Sequence, residues 1–294
     1  MADPRLTRRE FVRQGTLAAA GLAAGVHAAT TSAAEAKPGR KIVLIASHGH
    51  HPNEAGIALM KKCLESSPNV PGLVCETHND WPADAATLDG AAAIVIYSEG
   101  TNQAGLKHPI LQGDRLALLD RLAAKGAGLV CLHYTLYATR EVEAPYLLKW
   151  IGGYYDFQGY GSTHAVSDQP IVSTPVRPDH PISRGWSAFT IPRNEYYHRL
   201  RFAEDAKAVT PILTAPFPAK DGGQPKSEVI AWAMERPGGG RGFGFGGGHF
   251  QESWGVEGYR RMLLNAVVWA AGIDVPKEGV RWAVSDAELG LKTK

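Results

Sequence analysis

Only three of the 294 residues are cysteine, and no CxxC pair occurs among them. A zinc ribbon and a thioredoxin-type redox centre are thereby excluded. The chain also lacks HExxH, a GxSxG elbow and a phosphate-binding GxxxxGK[ST] loop, so three familiar catalytic frameworks are absent. Charge of one sign is missing too: 31 Lys and Arg stand against 29 Asp and Glu, for a formal charge of +2. With no long basic run and no aromatic-basic stripe, no nucleic-acid footprint is present. Nor is there an uninterrupted apolar run of the ~20 residues a spanning helix needs. The 33 Gly and 19 Pro follow no period, so collagen-like and low-complexity readings fail.

What is present begins with a leader. Thr7-Arg8-Arg9-Glu10-Phe11-Val12 places paired arginines before a small, weakly apolar stretch from Gly15 to Ala29. This reads as a twin-arginine export signal over residues 1–36, with Val26-His27-Ala28 and Ala34-Glu35-Ala36 as alternative cleavage sites. The expected destination is the periplasm or the exterior, with no membrane insertion after removal. Residues 37–294 read as one domain, long enough for a single substantial core. In an oxidising compartment Cys63 and Cys75 could pair, the odd count leaving one thiol, whereas Cys131 reads as a buried small hydrophobe.

The mature chain alternates strands and helices. Lys41–Ser47, Leu73–Glu76, Ala91–Tyr97 and Leu129–Leu132 read as strands, the first, third and fourth continuous apolar runs that suit burial on both faces. Glu54–Glu65 and Asp114–Lys125 have helical periodicity, and Gly258–Ala271 closes the pattern with Met262, Ala266 and Trp269 on one stripe. Residues 209–213, 229–234 and 242–246 are further strands. The Gly-, Pro- and Tyr-rich stretch 152–193 reads as an irregular or β-rich insertion. The expected class is α/β: a flavodoxin-like parallel sheet with helices on both faces. Gly242-Phe243-Gly244-Phe245-Gly246-Gly247 spells GxGxxG, but so late in the chain that close backbone packing explains it better than a dinucleotide.

In such sheets ligands gather beyond the carboxyl ends of the strands. The loops there carry His48, His50 and His51, then Ser98-Glu99, then His133-Tyr134. Imidazole suits both proton transfer near neutral pH and the binding of zinc-like cations. His133 and His249 are therefore the leading catalytic candidates, followed by Glu195 as a base, a ligand or the partner of a histidine ring. The same three are the candidates for a divalent metal, zinc or similar. His50, His51, Tyr197 and Trp254 are candidates for contacting substrate, the two aromatic rings by stacking on apolar C–H faces. His180 precedes a proline and reads as a turn residue; Arg193 and Arg199 read as ion-pair partners.

Several segments together resemble the ThuA-like (trehalose utilisation) family. They are Gly126–His133, Asp179-His180-Pro181-Ile182, Asn194-Glu195-Tyr196-Tyr197, Gly240–His249 followed by Trp254, and Leu264–Gly272. The likeness runs from about Lys41 to Gly272. It implies a class I glutamine amidotransferase-like fold, but the strand-to-helix turn presents Leu132-His133 where amidotransferases present cysteine, so amidotransferase chemistry is not expected. It implies a small-molecule carbohydrate partner. In that setting a keto-sugar is the expected substrate, losing a proton beside its ketone to a His or Glu base before elimination, hydrolysis or isomerisation. A non-catalytic periplasmic sugar-binding protein is the rival reading, and a metal-dependent hydrolase of unmodified glycosides a third.

Overall fold

The computed structural model describes residues 40–101, 107–167, 171–204, 208–218 and 223–291, all within one unit spanning Pro38–Lys294. The expected export signal over residues 1–36, with its two candidate cleavage sites, lies outside the described residues. The chain order begins β1 (Lys41–Ala46), α1 (Asn53–Glu65), β2 (Val74–Asn79), β3 (Ala93–Tyr97), α2 (Asp114–Ala124) and β4 (Gly128–Leu132). An insertion follows with α3 (Ala144–Trp150), β5 (Gly153–Tyr154), β6 (Thr163–Ser167), β7 (Ile171–Pro175), β8 (Phe189–Ile191), β9 (Asn194–His198) and β10 (Arg201–Phe202). The chain then returns through β11 (Val209–Phe217), β12 (Lys226–Glu235), β13 (Arg241–Phe245) and α4 (Glu257–Ala270).

Nine strands form the main sheet, in the order β2-β1-β3-β4-β13-β12-β11-β7-β8. The first five are parallel, in the flavodoxin order, and the last four extend the sheet antiparallel. The expected parallel α/β sheet is therefore present, with an antiparallel wing added by the insertion and the return strands. Every residue of β3 and β4 is buried, which is why both read as unbroken apolar runs. The edge strand β2 instead buries only Cys75 and leaves Thr77, His78 and Asn79 exposed or half-buried, so its polar half carries no apolar signal.

Helices cover both faces. α1 and α4 pack Ile57, Met60, Leu263 and Val267 against Leu44, Val95 and Phe243 on one side. On the other, α2 and α3 bring Leu116, Leu119 and Leu147 against Val43, Ile94 and Cys131. Each such aliphatic side chain contributes about 1.5–3 kcal/mol by leaving water. The glycines of β13 serve this packing: a Cβ at Gly242 would lie 2.1 Å from the Trp150 carbonyl oxygen, and one at Gly244 2.2 Å from the Trp232 ring. No dinucleotide loop is formed there.

The cysteines are free and buried, Cys63 on α1 and Cys75 on β2. The suggested Cys63–Cys75 disulfide is absent. His180 accepts the backbone N–H of Ile182 and packs its ring against Trp269, as a turn residue should. Arg199 lies 4.0 Å from Glu228, and Arg193 stacks over Phe250.

Candidate active site

Three loops at the carboxyl ends of β1, β3 and β4 meet the segment that follows β13. The loop after β1 carries His51. Its approach to the β3 loop is close enough that a Cβ at Gly49 would lie 2.3 Å from Glu99 Cγ. Glu99 Oε1 accepts from the backbone N–H of His51 at 3.1 Å, and the ring Nδ1 of His51 lies 2.7 Å from it. Asn53 Nδ2, at the start of α1, donates to the same oxygen at 3.2 Å. Burial opposes ionisation of Glu99, but His51 and Asn53 outweigh it and hold the carboxyl below its usual range. With Nδ1 engaged, Nε2 of His51 is left for the crevice.

His133 follows β4 directly, with φ +52°, a left-handed backbone that few non-glycine residues adopt. That turn separates it from Cys131, which belongs to the core beneath α2 and α3 and whose thiol burial pushes up to about 12. A cysteine so placed is no nucleophile. His133 is fully buried, stacks on Tyr197 with ring centroids 4.6 Å apart, and makes no well-formed hydrogen bond at either ring nitrogen, with the Gly246 backbone close by. Burial, with His51 and His249 nearby, keeps its imidazole neutral far below the usual histidine range.

His249 comes from the loop after β13, anchored where the Tyr97 hydroxyl donates to the Gly248 carbonyl. Its Nδ1 lies 2.7 Å from a carboxylate oxygen of Glu195 on β9. Burial again works against the charge on Glu195, and His249 prevails, keeping it below the usual carboxylate range. The three imidazoles form a compact group. Ring centroids are 4.7 Å apart for His51–His133 and for His51–His249, and 5.4 Å for His133–His249. One nitrogen from each lies within 4.8 Å of the others.

An open cavity of about 590 Å³ lies against this group, within the ~300–1,000 Å³ range of small-molecule sites. His48, His50, Lys107, Pro109 and His164 line its outer parts, and Tyr134, Tyr137 and Tyr197 its wall. Tyr137 is itself stacked between Tyr155 and Phe157, at 4.3 and 4.9 Å. Burial pushes the Tyr134 phenol up to about 12, so it is a neutral donor.

The structure thus brings together His51, His133, His249 and Glu195. His50 is exposed at the cavity's edge, and Tyr197 is buried with one ring face taken by His133. Trp254 is a correction. Its indole is fully buried beside Tyr259 and Gly56, so it has no face to offer a sugar. The short turn Gln251–Gly255 swings it inward, although it stands only five positions after His249. Glu99 and Tyr134 were placed by the sequence in the strand-end loops but given no role, and Tyr137 was not noted. The available signal for Glu99 was its place after a central strand, beside the β1 loop.

A flavodoxin-type sheet with a histidine-carboxylate crevice at its carboxyl rim defines the class. The chain belongs to the ThuA family, described as trehalose utilisation, whose sequence profile matches residues 42–270. Among solved structures it is similar to a ThuA-like protein from Bacteroides uniformis (19% identity, TM-score 0.58, covering 83% of this chain and 96% of that one). A second, from Parabacteroides merdae, shares 16% identity at TM-score 0.59, covering 84% and 98%. A cytoplasmic protein from Salmonella typhimurium matches at 14% identity and TM-score 0.51, covering 82% and 99%. No curated protein sequence matches.

Proposed function

We propose that this chain is an exported carbohydrate-active enzyme that forms an enolate from a keto-sugar derivative. The observation that carries the reading is the pair of carboxylate–imidazole contacts, Glu99–His51 and Glu195–His249, around a buried neutral His133, with His51, Glu99 and Glu195 lining a sugar-sized cavity. The family description supports a carbohydrate as the ligand.

In a 3-keto-glycoside the ketone acidifies the proton on C2. Glu195, ionised and lining the cavity, removes that proton as general base. The imidazole group holds the oxygen on which negative charge develops. Collapse of the enolate expels the C1 substituent, and the departing oxygen takes a proton from a neutral donor such as Tyr134. Reprotonation at C2 instead gives isomerisation, so both outcomes share one first step. A carboxylate with a lowered pKa is a weak base, and the site therefore depends on strong support of the oxyanion. The paired arginines at the N-terminus support action outside the cytoplasm.

The test is incubation of the purified mature chain with 3-keto-trehalose and 3-keto-glucosides in D2O, followed by NMR. Deuterium entering C2, or release of the aglycone, is expected and should vanish in Glu195→Gln. Binding of these sugars with neither exchange nor release would replace the enzyme with a sugar-binding protein. Consumption of unmodified trehalose would point to a hydrolase instead.

A further inference from the structure

We infer that His51, His133 and His249 form a three-histidine site for one divalent first-row cation, zinc by preference, with Glu99 and Glu195 as the outer carboxylates that orient two of its rings. The site rests on its own geometry; only its catalytic use rests on the enolate reading above.

The sequence alone favoured His133, His249 and Glu195 as ligands. The structure exchanges Glu195 for His51. Glu195 Oε2 lies 2.7 Å from Nδ1 of His249, as Glu99 Oε1 lies 2.7 Å from Nδ1 of His51. A carboxylate beside Nδ1 favours a proton on that nitrogen, which would leave Nε2 of each ring as the lone-pair donor. Metal-binding histidines are commonly oriented in this way, with the second nitrogen donated to a carboxylate.

His133 supplies the independent observation. A fully buried imidazole with no well-formed hydrogen bond at either nitrogen, and only the Gly246 backbone close by, is costly, and native interiors rarely carry one without a reason. A cation bonded to one of those nitrogens removes part of that cost. The spacing agrees: bonds of about 2.0–2.1 Å put tetrahedral ligand nitrogens roughly 3.4 Å apart. From separations of at most 4.8 Å, ring movements on the order of an ångström close the set. Three neutral imidazoles without a thiolate suit zinc and its neighbours better than calcium or magnesium, which prefer oxygen. Three protein ligands also leave a coordination position open, as in catalytic rather than structural zinc sites. Of the three rings His51 lines the cavity, beside Glu195, and that is the side from which a substrate oxygen would approach the position. Held there, a ketone oxygen is polarised as its neighbouring proton leaves, which supplies the support that a weak carboxylate base requires.

The experiment is chelator treatment of the full mature chain, dialysis, and titration with Zn2+ and separately with Co2+. Binding is read by elemental analysis, calorimetry and the visible Co2+ spectrum. One ion per chain is expected, with a tetrahedral or five-coordinate Co2+ spectrum. His51→Ala, His133→Ala and His249→Ala should each abolish stoichiometric binding. Glu99→Gln and Glu195→Gln should weaken it by about 10–100-fold, and His164→Ala should leave it unchanged. Circular dichroism establishes that each variant is folded. Wild-type protein that stays folded and takes up neither ion overturns the proposal, as does binding that survives loss of His133 and His249 together. Stoichiometric metal without turnover of any keto-sugar upholds the site and removes the enolate reading. Full turnover by metal-free protein upholds that reading and removes the cation from it.

Discussion

A single oxygen of Glu99 serves both the backbone and the side chain of His51, with the amide nitrogen at 3.1 Å and the ring nitrogen at 2.7 Å. The carboxylate therefore fixes the position of the loop and the rotation of the ring together. Removing it in Glu99→Ala should lower kcat by about 10²-fold while leaving KM within a factor of about three, because orientation of a reacting group is lost rather than substrate contact. Glu99→Gln keeps an acceptor without the charge and should fall between the two. Steady-state kinetics on a keto-sugar substrate check this; a rise in KM with kcat unchanged would make Glu99 a substrate contact instead.

The β3 and β4 loops are pressed together at Gly100. A Cβ there would lie 2.2 Å from the Tyr134 carbonyl oxygen and 2.7 Å from Tyr137 Cβ. Backbone cannot yield as a flexible side chain does. Gly100→Ala should therefore destabilise the fold by roughly 2–4 kcal/mol and displace the tyrosine wall. Urea unfolding measures the first effect, and sugar affinity of the residual folded protein the second. Unchanged values of both would show that the loops separate readily.

Acid should weaken the protein through histidines outside the reactive group. His108 is fully buried, and its Nδ1 accepts the backbone N–H groups of Ile110 and Leu111 at 3.2 and 2.9 Å. A proton on that nitrogen would remove both contacts. Burial, only partly opposed by Glu143, lowers its pKa to about 4. In the unfolded chain it returns to near 6.5. The unfolded state then binds the proton first, so stability is full above about pH 6.5, declines as pH falls toward 4, and levels off below. At about pH 5 the loss is on the order of 1–2 kcal/mol. His180 and His198, each lowered to about 4 chiefly by burial, act in the same direction. In His108→Gln, which retains an acceptor that does not titrate, the difference in urea stability between pH 7 and pH 5 should shrink by that amount. An undiminished difference would shift the acid sensitivity to the other two histidines.

The parallel half of the fold was legible because burial on both faces writes a strand as an uninterrupted apolar run, as in β1, β3 and β4. α3 was not, since seven residues opening on a proline give too little periodicity. β7 and β8 form the outer edge of the antiparallel wing and expose Val172 and Thr190, which blurs their pattern. At the site, the rule that ligands gather at strand ends found His51, His133 and His249, because each follows a recognisable strand. Which carboxylate serves which ring was not legible. Glu195 and His249 approach only because β9 is joined to the end of β13 through the Tyr197 N–H and the Gly246 carbonyl. Nearness along the chain misleads for Trp254, where one short turn decides between crevice and core.

Tyr137 and Trp254 separate the wall from the core experimentally. Tyr137 lines the cavity, and because its ring is stacked between Tyr155 and Phe157, its open edge and hydroxyl are what a sugar meets. Losing that edge and its hydroxyl costs about 1–1.5 kcal/mol, so Tyr137→Leu should raise KM by roughly 10-fold with a small change in kcat. Trp254→Phe should do the converse. It removes buried ring volume next to Tyr259 and should cost about 1–3 kcal/mol in urea unfolding, with kcat/KM within twofold of wild type. The pair of variants measured together leaves little room for indirect effects. If Trp254→Phe weakened sugar binding as strongly as Tyr137→Leu, the cavity would have to open toward α1, and the tyrosine wall would not be where the sugar lies.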